Sequence, residues 1–166
     1  MKRLILIRHA KAVSSDEENA SDFERELTQR GCRDAERMGQ WLRAIVSSID
    51  CMVASPSRRT RQTAEIIAKA WGDASLPIEY DQALYLPSLD TVRAVVWALD
   101  PAWRTVALVG HNPSLSDVLV DLTGEPYAPL PTCAIAVLNV HAMQWHSLRR
   151  ACARVEHYAT PKEINM

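Results

Sequence analysis

The stretch Leu4–Lys11, LILIRHAK, changes character in a single step. Four large apolar residues, enough for a strand over Arg3–Ile7, are followed at once by Arg8 and His9. A strand that is apolar on both sides is typical of a parallel sheet covered by helices on both faces. Ligands of such sheets bind outside the carboxyl ends of the strands. Arg8 and His9 are therefore predicted to lie at a ligand site.

The composition excludes several classes of function. With 166 residues, of which 48% are apolar and 23% charged, the chain is expected to form a single globular domain over residues 1–166. The 19 basic and 20 acidic residues leave a net charge of -1, which argues against nucleic acid or an anionic membrane as a partner. No stretch has the length of a membrane span or the pattern of a signal peptide, so we expect a cytoplasmic protein.

Short apolar runs alternate with amphipathic segments along the chain. The runs predict strands over Arg3–Ile7, Asp50–Ala54, Pro77–Tyr80 and Thr105–Val109, with final candidates at residues 133–140 and 153–159. The amphipathic spacing predicts helices over Thr28–Val46, Arg59–Trp71 and Leu89–Leu99, and one that begins near Pro113. This alternation predicts a three-layer α/β sandwich around a mostly parallel central sheet.

Two further predicted strands also end in basic residues. Residues 50–54 are followed by the arginine cluster SPSRRTR (residues 55–61), and residues 105–110 are followed by His111. Three such strand ends on one sheet edge predict a pocket for an anion, and guanidinium groups bind phosphoryl oxygens well. The sequence has no P-loop and no acidic cluster for a metal, so a nucleophile must come from the protein. His9 is the only good candidate at this edge.

Four blocks of sequence occur in an order that resembles the histidine phosphatase superfamily. They are LIRHAKA, RELTQRG, ASPSRRTRQTAEII and LVGHNPSL, and they span Lys2 to about Leu119. The chain is most similar to the short phosphohistidine phosphatases of the SixA type. The resemblance implies the histidine phosphatase (phosphoglycerate mutase-like) fold, with no cofactor and no metal.

The same resemblance assigns roles to individual residues. It implies that His9 is the phospho-accepting nucleophile, with Arg8 and Arg59 on the phosphate and His111 as the second histidine. It also places Arg25 at the pocket rim, as a substrate-binding residue.

The chemistry of phosphoryl transfer adds two expectations about the histidines. His9 must be neutral to attack, and nearby arginines lower its pKa, while one of its ring nitrogens should donate to a backbone carbonyl. His111 is expected to be protonated, so that it adds positive charge next to the phosphoryl oxygens.

The segment IEYDQALYLPSLD (residues 78–90) departs from the wider superfamily. Phosphoglycerate mutases place a glutamate general acid and a longer insertion here, whereas this chain is short and has Ala83 in that region. Asp81 or Glu79 could substitute for the acid. A missing acid suits phosphohistidine, whose phosphorus–nitrogen bond breaks easily, and a missing lid suits a macromolecular substrate.

These features predict a metal-independent phosphatase that works through a phosphohistidine intermediate. The expected substrate is a phosphorylated protein, such as a histidine phosphotransfer domain. A phosphatase of small phosphoesters remains an alternative, and so does a non-catalytic phosphate-binding module on the same fold.

Overall fold

The structure, a computed structural model, describes residues 1–14, 16 and 21–164. A six-stranded sheet has the order β3-β2-β4-β1-β5-β6. The strands are β1 (Lys2–Arg8), β2 (Cys51–Ala54), β3 (Ile78–Tyr80), β4 (Thr105–Gly110), β5 (Ile135–Val140) and β6 (Ala153–Ala159). The first four strands in the sheet order are parallel, whereas β5 and β6 run antiparallel to their neighbours, so the sheet is mostly parallel as predicted.

Five α-helices and three short 3-10 helices flank the sheet in the described part of the chain. The α-helices are α1 (Gln29–Ile45), α2 (Arg58–Trp71), α3 (Leu89–Trp97), α4 (Ser114–Thr123) and α5 (Pro161–Ile164). The 3-10 helices cover Asp22–Glu24, Gln82–Leu84 and Trp145–Ser147. None of the helices in residues 1–14, 16 and 21–164 is long and apolar enough to cross a membrane.

Alternate residues of β1 belong to two separate hydrophobic layers. Leu4 and Leu6 pack with residues of α3 and α4, whereas Ile5 and Ile7 pack with residues of α1 and α2. All four side chains are fully buried. The apolar run LILI is therefore explained by burial on both faces, and the prediction of a three-layer α/β sandwich is confirmed.

The predicted elements differ from the observed ones only near their ends. Asp50 lies outside β2 because its carboxylate accepts hydrogen bonds from the backbone N–H groups of Arg104 and Thr105, at 2.8 and 2.9 Å. Residues 133 and 134 lie outside β5, and the Cys133 N–H donates instead to the His9 carbonyl (3.0 Å). This bond ties the segment before β5 to the end of β1.

The parallel register brings three strand ends to one edge of the sheet. In β1 and β4, Arg8 pairs with Gly110, and the next N–H, that of His9, donates to the Gly110 carbonyl at 3.0 Å. On the other side of β4, the N–H of Ser55 donates to the Val109 carbonyl, also at 3.0 Å. The residues after β1, β2 and β4 are thereby held beside one another.

Helix α1 fixes the loop that leaves this edge. Its N-cap, Thr28, accepts a hydrogen bond from Gly31 N–H (3.0 Å), and the Thr28 N–H donates to the Lys11 carbonyl (2.9 Å). A Cβ atom at position 31 would lie only 2.2 Å from that carbonyl oxygen. Glycine is therefore required where α1 meets the backbone two residues after His9.

Candidate active site

His9 is buried at the carboxyl end of β1, with 8% of its surface exposed. Its Nδ1 lies 2.7 Å from the Ala10 carbonyl oxygen, which can only accept. Nδ1 therefore carries the proton of the neutral ring, as predicted, and Nε2 is left with a free lone pair. Thr63, on helix α2, accepts a hydrogen bond from the Ala10 N–H through its Oγ1 atom, at 3.0 Å. This bond fixes the backbone next to His9.

The surroundings of His9 keep its ring neutral. Burial is the largest cause, and together with the charges of Arg59, Arg8 and Arg25 it lowers the pKa of His9 to about 4. The hydrogen bond to Ala10 acts in the opposite direction but is outweighed. The arginines contribute as predicted, but loss of solvation contributes more.

Arg59 is the most enclosed cation of the site, with 3% of its surface exposed. Its Nη1 donates to the Asp22 carbonyl (2.7 Å), and its Nη2 donates to Asp22 Oδ2 (3.1 Å) and to His111 Nδ1 (3.3 Å). The arrangement fixes the plane of the guanidinium group. Among the described residues, Nε of Arg59 has no hydrogen-bond partner.

Arg8 enters the site from the end of β1. Its Nη1 donates to the Leu130 carbonyl at 2.9 Å, which holds the side chain against the loop before β5. The Nε atoms of Arg8 and Arg59 are both buried and have no hydrogen-bond partner in the described part of the chain. Buried donors without partners are rare and costly, and at a cationic site they indicate an anionic ligand.

His111 lies beside His9, with 5.4 Å between the ring centroids, and is 2% exposed. Because Arg59 can only donate, Nδ1 of His111 accepts from it, and Nε2–H donates to Ser55 Oγ at 2.8 Å. Burial, followed by the charge of Arg59, lowers the pKa of His111 to about 3. The expectation that His111 is protonated is therefore wrong, because the ring is desolvated beside a buried guanidinium group.

Arg25 lies at the rim of the cluster. Its Nε donates to the Val13 carbonyl (2.7 Å), and its Nη1 donates to Asp22 Oδ1 (3.0 Å). It is near enough for its charge to lower the pKa of His9, although it is the weakest of the three arginine contributions. The structure thus brings together all five residues that the sequence singled out: Arg8, His9, Arg25, Arg59 and His111.

Asp22 and Tyr85 belong to the same cluster but were not predicted. Tyr85 Oη donates to Asp22 Oδ2 at 2.5 Å, and the Tyr85 ring lies edge-on to that of His111 at 5.6 Å. Burial alone would raise the pKa of Asp22, but hydrogen bonds from Tyr85 and Arg25 and the nearby Arg59 lower it to about 2. Asp22 is therefore an ionised carboxylate within a pocket of cations.

Comparison with known proteins identifies the family. The profile of the histidine phosphatase superfamily (branch 1) matches residues 4–85. An uncharacterized protein of Mycobacterium tuberculosis is 32% identical over 166 residues, which cover 94% of this chain and 100% of the relative. A solved structure from Nakamurella multipartitia, provisionally named phosphohistidine phosphatase SixA, is 30% identical, with a TM-score of 0.81 and 96% of each chain covered. This chain belongs to the histidine phosphatase superfamily.

Members of the histidine phosphatase superfamily with this fold differ in substrate. The mycobacterial glucosyl-3-phosphoglycerate phosphatase, solved in complex with VO3, is 17% identical to this chain, with a TM-score of 0.70 and coverage of 96% and 100%. At that identity the likeness shows the fold alone. The substrate of this phosphatase must therefore be argued from its own residues.

The two candidate general acids of this histidine phosphatase have other contacts. Asp81 Oδ1 accepts from the Ala83 N–H (2.9 Å) and so begins the 3-10 helix Gln82–Leu84. Burial, followed by the charge of Glu79 on β3, raises the pKa of Cys51, which begins β2 at the end away from Ser55. Within residues 1–14, 16 and 21–164, no group of three or more His, Cys, Asp or Glu side chains is arranged to hold a metal ion.

The pKa values of the two buried histidines, His9 and His111, should lie far below that of an ordinary histidine. In an unfolded chain both histidines bind protons below about pH 6.5, whereas in the folded protein they do not. The free energy of unfolding should therefore be greatest above that pH and fall as the pH decreases toward 4.

We expect NMR of labelled histidine to show both rings neutral at about pH 5.5, where ordinary histidine is mostly protonated. The signals are assigned with His9→Asn and His111→Asn. Titration of either ring near about pH 6.5 would contradict the burial argument.

Arg59 and Arg58 provide a matched pair for testing the prediction that Arg59 binds the phosphate. Arg58 is exposed and pairs with Glu26 at 2.8 Å, whereas Arg59 is enclosed. Arg59→Lys keeps the charge but loses the planar fork, so we expect kcat to fall about 10-fold to 1000-fold. Arg58→Lys should change steady-state rates by less than about twofold, since exposed ion pairs contribute little. Equal tolerance at both positions would show that Arg59 does not bind the phosphate.

Proposed function

We propose that this phosphatase removes the phosphoryl group from phosphohistidine on a protein, through a phosphohistidine intermediate on His9. The observation that carries the proposal is the state of the His9 ring. Nδ1 donates to the Ala10 carbonyl, and Nε2 keeps its lone pair near the buried guanidinium group of Arg59 and the partly buried one of Arg8. A neutral imidazole in a cationic, poorly solvated pocket is suited to attack a phosphoryl group without a metal.

In the first step, Nε2 of His9 forms a bond to phosphorus while the phosphorus–nitrogen bond of the substrate breaks. Charge spreads over the three equatorial oxygens during this transfer, so catalysis depends on positioned donors. Arg8 and Arg59 supply these donors, since guanidinium groups bind phosphoryl oxygens through charge-assisted hydrogen bonds. Water then attacks the phosphorus, the electron pair returns to Nε2, and inorganic phosphate is released.

His111 acts on this reaction as a neutral ring. Its Nδ1 accepts from Arg59, and its Nε2 donates to Ser55, so it holds the guanidinium plane in place between β2 and β4. The two hydrogen bonds support this role in place of the direct contribution of charge that the sequence suggested. Arg25, 24% exposed, is assigned to substrate binding at the rim.

The region after β3 favours a protein substrate. Residues 81–88 connect β3 to α3 through one turn of 3-10 helix, where the wider superfamily has a longer segment over the substrate. A folded protein can present a phosphorylated side chain only to a site without such a cover. A phosphorylated histidine phosphotransfer domain is therefore the partner that we propose.

The substrate assignment is tested by direct comparison of rates. A phosphorylated histidine phosphotransfer protein and a panel of small phosphoesters are assayed in parallel, each with and without a chelator. We expect dephosphorylation of the protein, unchanged by the chelator, and slower hydrolysis of the phosphoesters. Comparable rates on sugar phosphates with none on the protein would overturn the substrate assignment and favour a small-molecule phosphatase.

The nucleophile is tested by the chemistry of the intermediate. A phosphoryl group on a ring nitrogen is stable in alkali and lost in mild acid, because protonation makes imidazole a good leaving group. We expect rapid quenching to trap a label with this stability, His9→Ala to abolish both label and turnover, and His111→Ala to slow turnover while some labelling remains. An acid-stable label would mean that another group accepts the phosphate.

A further inference from the structure

Asp22 places a negative charge inside a site built to bind anions. Its carboxylate lies 3.1 Å from Arg59 Nη2 and 3.0 Å from Arg25 Nη1, and it accepts the Tyr85 hydroxyl. A carboxylate at this position weakens the attraction of the pocket for a phosphoryl group. The carboxylate balances the charges of Arg59 and Arg25, and we consider whether it also acts on another part of the substrate.

Depth in the pocket separates Asp22 from the catalytic cluster. His9, Arg59 and His111 are 8%, 3% and 2% exposed, whereas 43% of the Asp22 side chain is exposed. In an in-line displacement the leaving group departs on the side opposite the nucleophile. Because His9 is buried, we assign that side to the exposed mouth of the site, and the exposed fraction of the Asp22 side chain assigns its carboxylate to the mouth as well.

The carboxylate also has room for one more donor. A carboxylate can accept about four hydrogen bonds. Oδ2 accepts from Arg59 and Tyr85, whereas Arg25 is the side-chain donor to Oδ1 in the described part of the chain. A further acceptor site on Oδ1 is therefore present at the mouth.

We infer that Asp22 determines substrate specificity: its carboxylate accepts a hydrogen bond from the protonated imidazole of a phosphohistidine substrate and disfavours phosphoesters. The inference rests on the proposed function. When the phosphorus–nitrogen bond breaks, its electron pair stays on the substrate ring nitrogen, and the proton on the other ring nitrogen remains there. The ring therefore enters as a cation and leaves neutral.

An ester has the opposite requirement. Its leaving oxygen carries the electron pair away and develops negative charge, which a neighbouring carboxylate repels unless it can donate a proton. Asp22 has no proton to donate at neutral pH, because the pKa of its carboxyl is lowered to about 2. The same side chain thus favours a substrate whose ring is bound as a cation and leaves neutral, and it opposes a leaving group that departs as an anion.

The test is a crossed comparison of two substrates. For the wild-type enzyme and Asp22→Asn, kcat/KM is measured on a phosphohistidine peptide and on p-nitrophenyl phosphate. The nitrophenolate group of this ester leaves as an anion without a general acid. We expect kcat/KM for the phosphohistidine peptide to fall about 10-fold to 100-fold, the effect of losing one hydrogen bond to a charged group. The value for the aryl ester should stay the same or rise, because the departing anion no longer faces a carboxylate.

Two further variants separate charge from structure. Glu24→Gln removes the same charge from the same 3-10 helix, but Glu24 is exposed, so the ratio of the two kcat/KM values should not change. Asp22→Glu keeps the carboxylate and should retain most of the preference for phosphohistidine. If Asp22 only positions Arg59, Asp22→Asn lowers both values in parallel, since Arg59 acts on the phosphoryl group that both substrates share.

The outcomes also distinguish this inference from the proposed function. If the wild-type enzyme hydrolyses the phosphohistidine peptide and Asp22→Asn leaves the ratio of the two kcat/KM values unchanged, with or without a parallel fall in both, the role of Asp22 alone is overturned. A wild-type enzyme that hydrolyses the aryl ester but neither the phosphohistidine peptide nor a phosphorylated protein overturns both. A selective loss with the phosphohistidine peptide supports both.

Discussion

Burial of the Arg59 guanidinium group at the carboxyl edge of the sheet is the constraint on which the rest of the site depends. A buried cation is stable only if its donors are used and its charge is balanced. Asp22 supplies both a backbone carbonyl and a carboxylate for this purpose. His111 accepts a third hydrogen bond, and burial followed by the charge of Arg59 keeps its ring neutral.

The same burial prepares His9 for attack. Desolvation and the arginine charges favour its neutral form, and the carbonyl of Ala10 selects the tautomer with Nε2 free. No single side chain creates this state, since it needs the strand end, the helix that carries Arg59 and the loop that carries Asp22. The reactivity that we assign to His9 is thus a property of the folded edge of the sheet.

Much of this fold and part of this site could be predicted from the sequence. The run LILI followed by Arg8 and His9 indicated a strand buried on both faces with a site at its end, and the order of sequence blocks identified Arg59 among three nearby arginines. Asp22 and Tyr85 were missed because they come from short irregular segments without periodicity, and only the tertiary fold brings them together. The charge of His111 was predicted wrongly because the sequence does not show how completely its ring is desolvated.

The central claim is that the phosphoryl group moves to one particular nitrogen, Nε2 of His9. It is tested most directly by trapping the phosphorylated enzyme in alkali, with histidine labelled with nitrogen-15, and detecting the nitrogen–phosphorus coupling by NMR. We expect coupling to Nε2 of His9 alone, because Nδ1 donates to the Ala10 carbonyl. Phosphate on Nδ1 of His9, or on either nitrogen of His111, would contradict it.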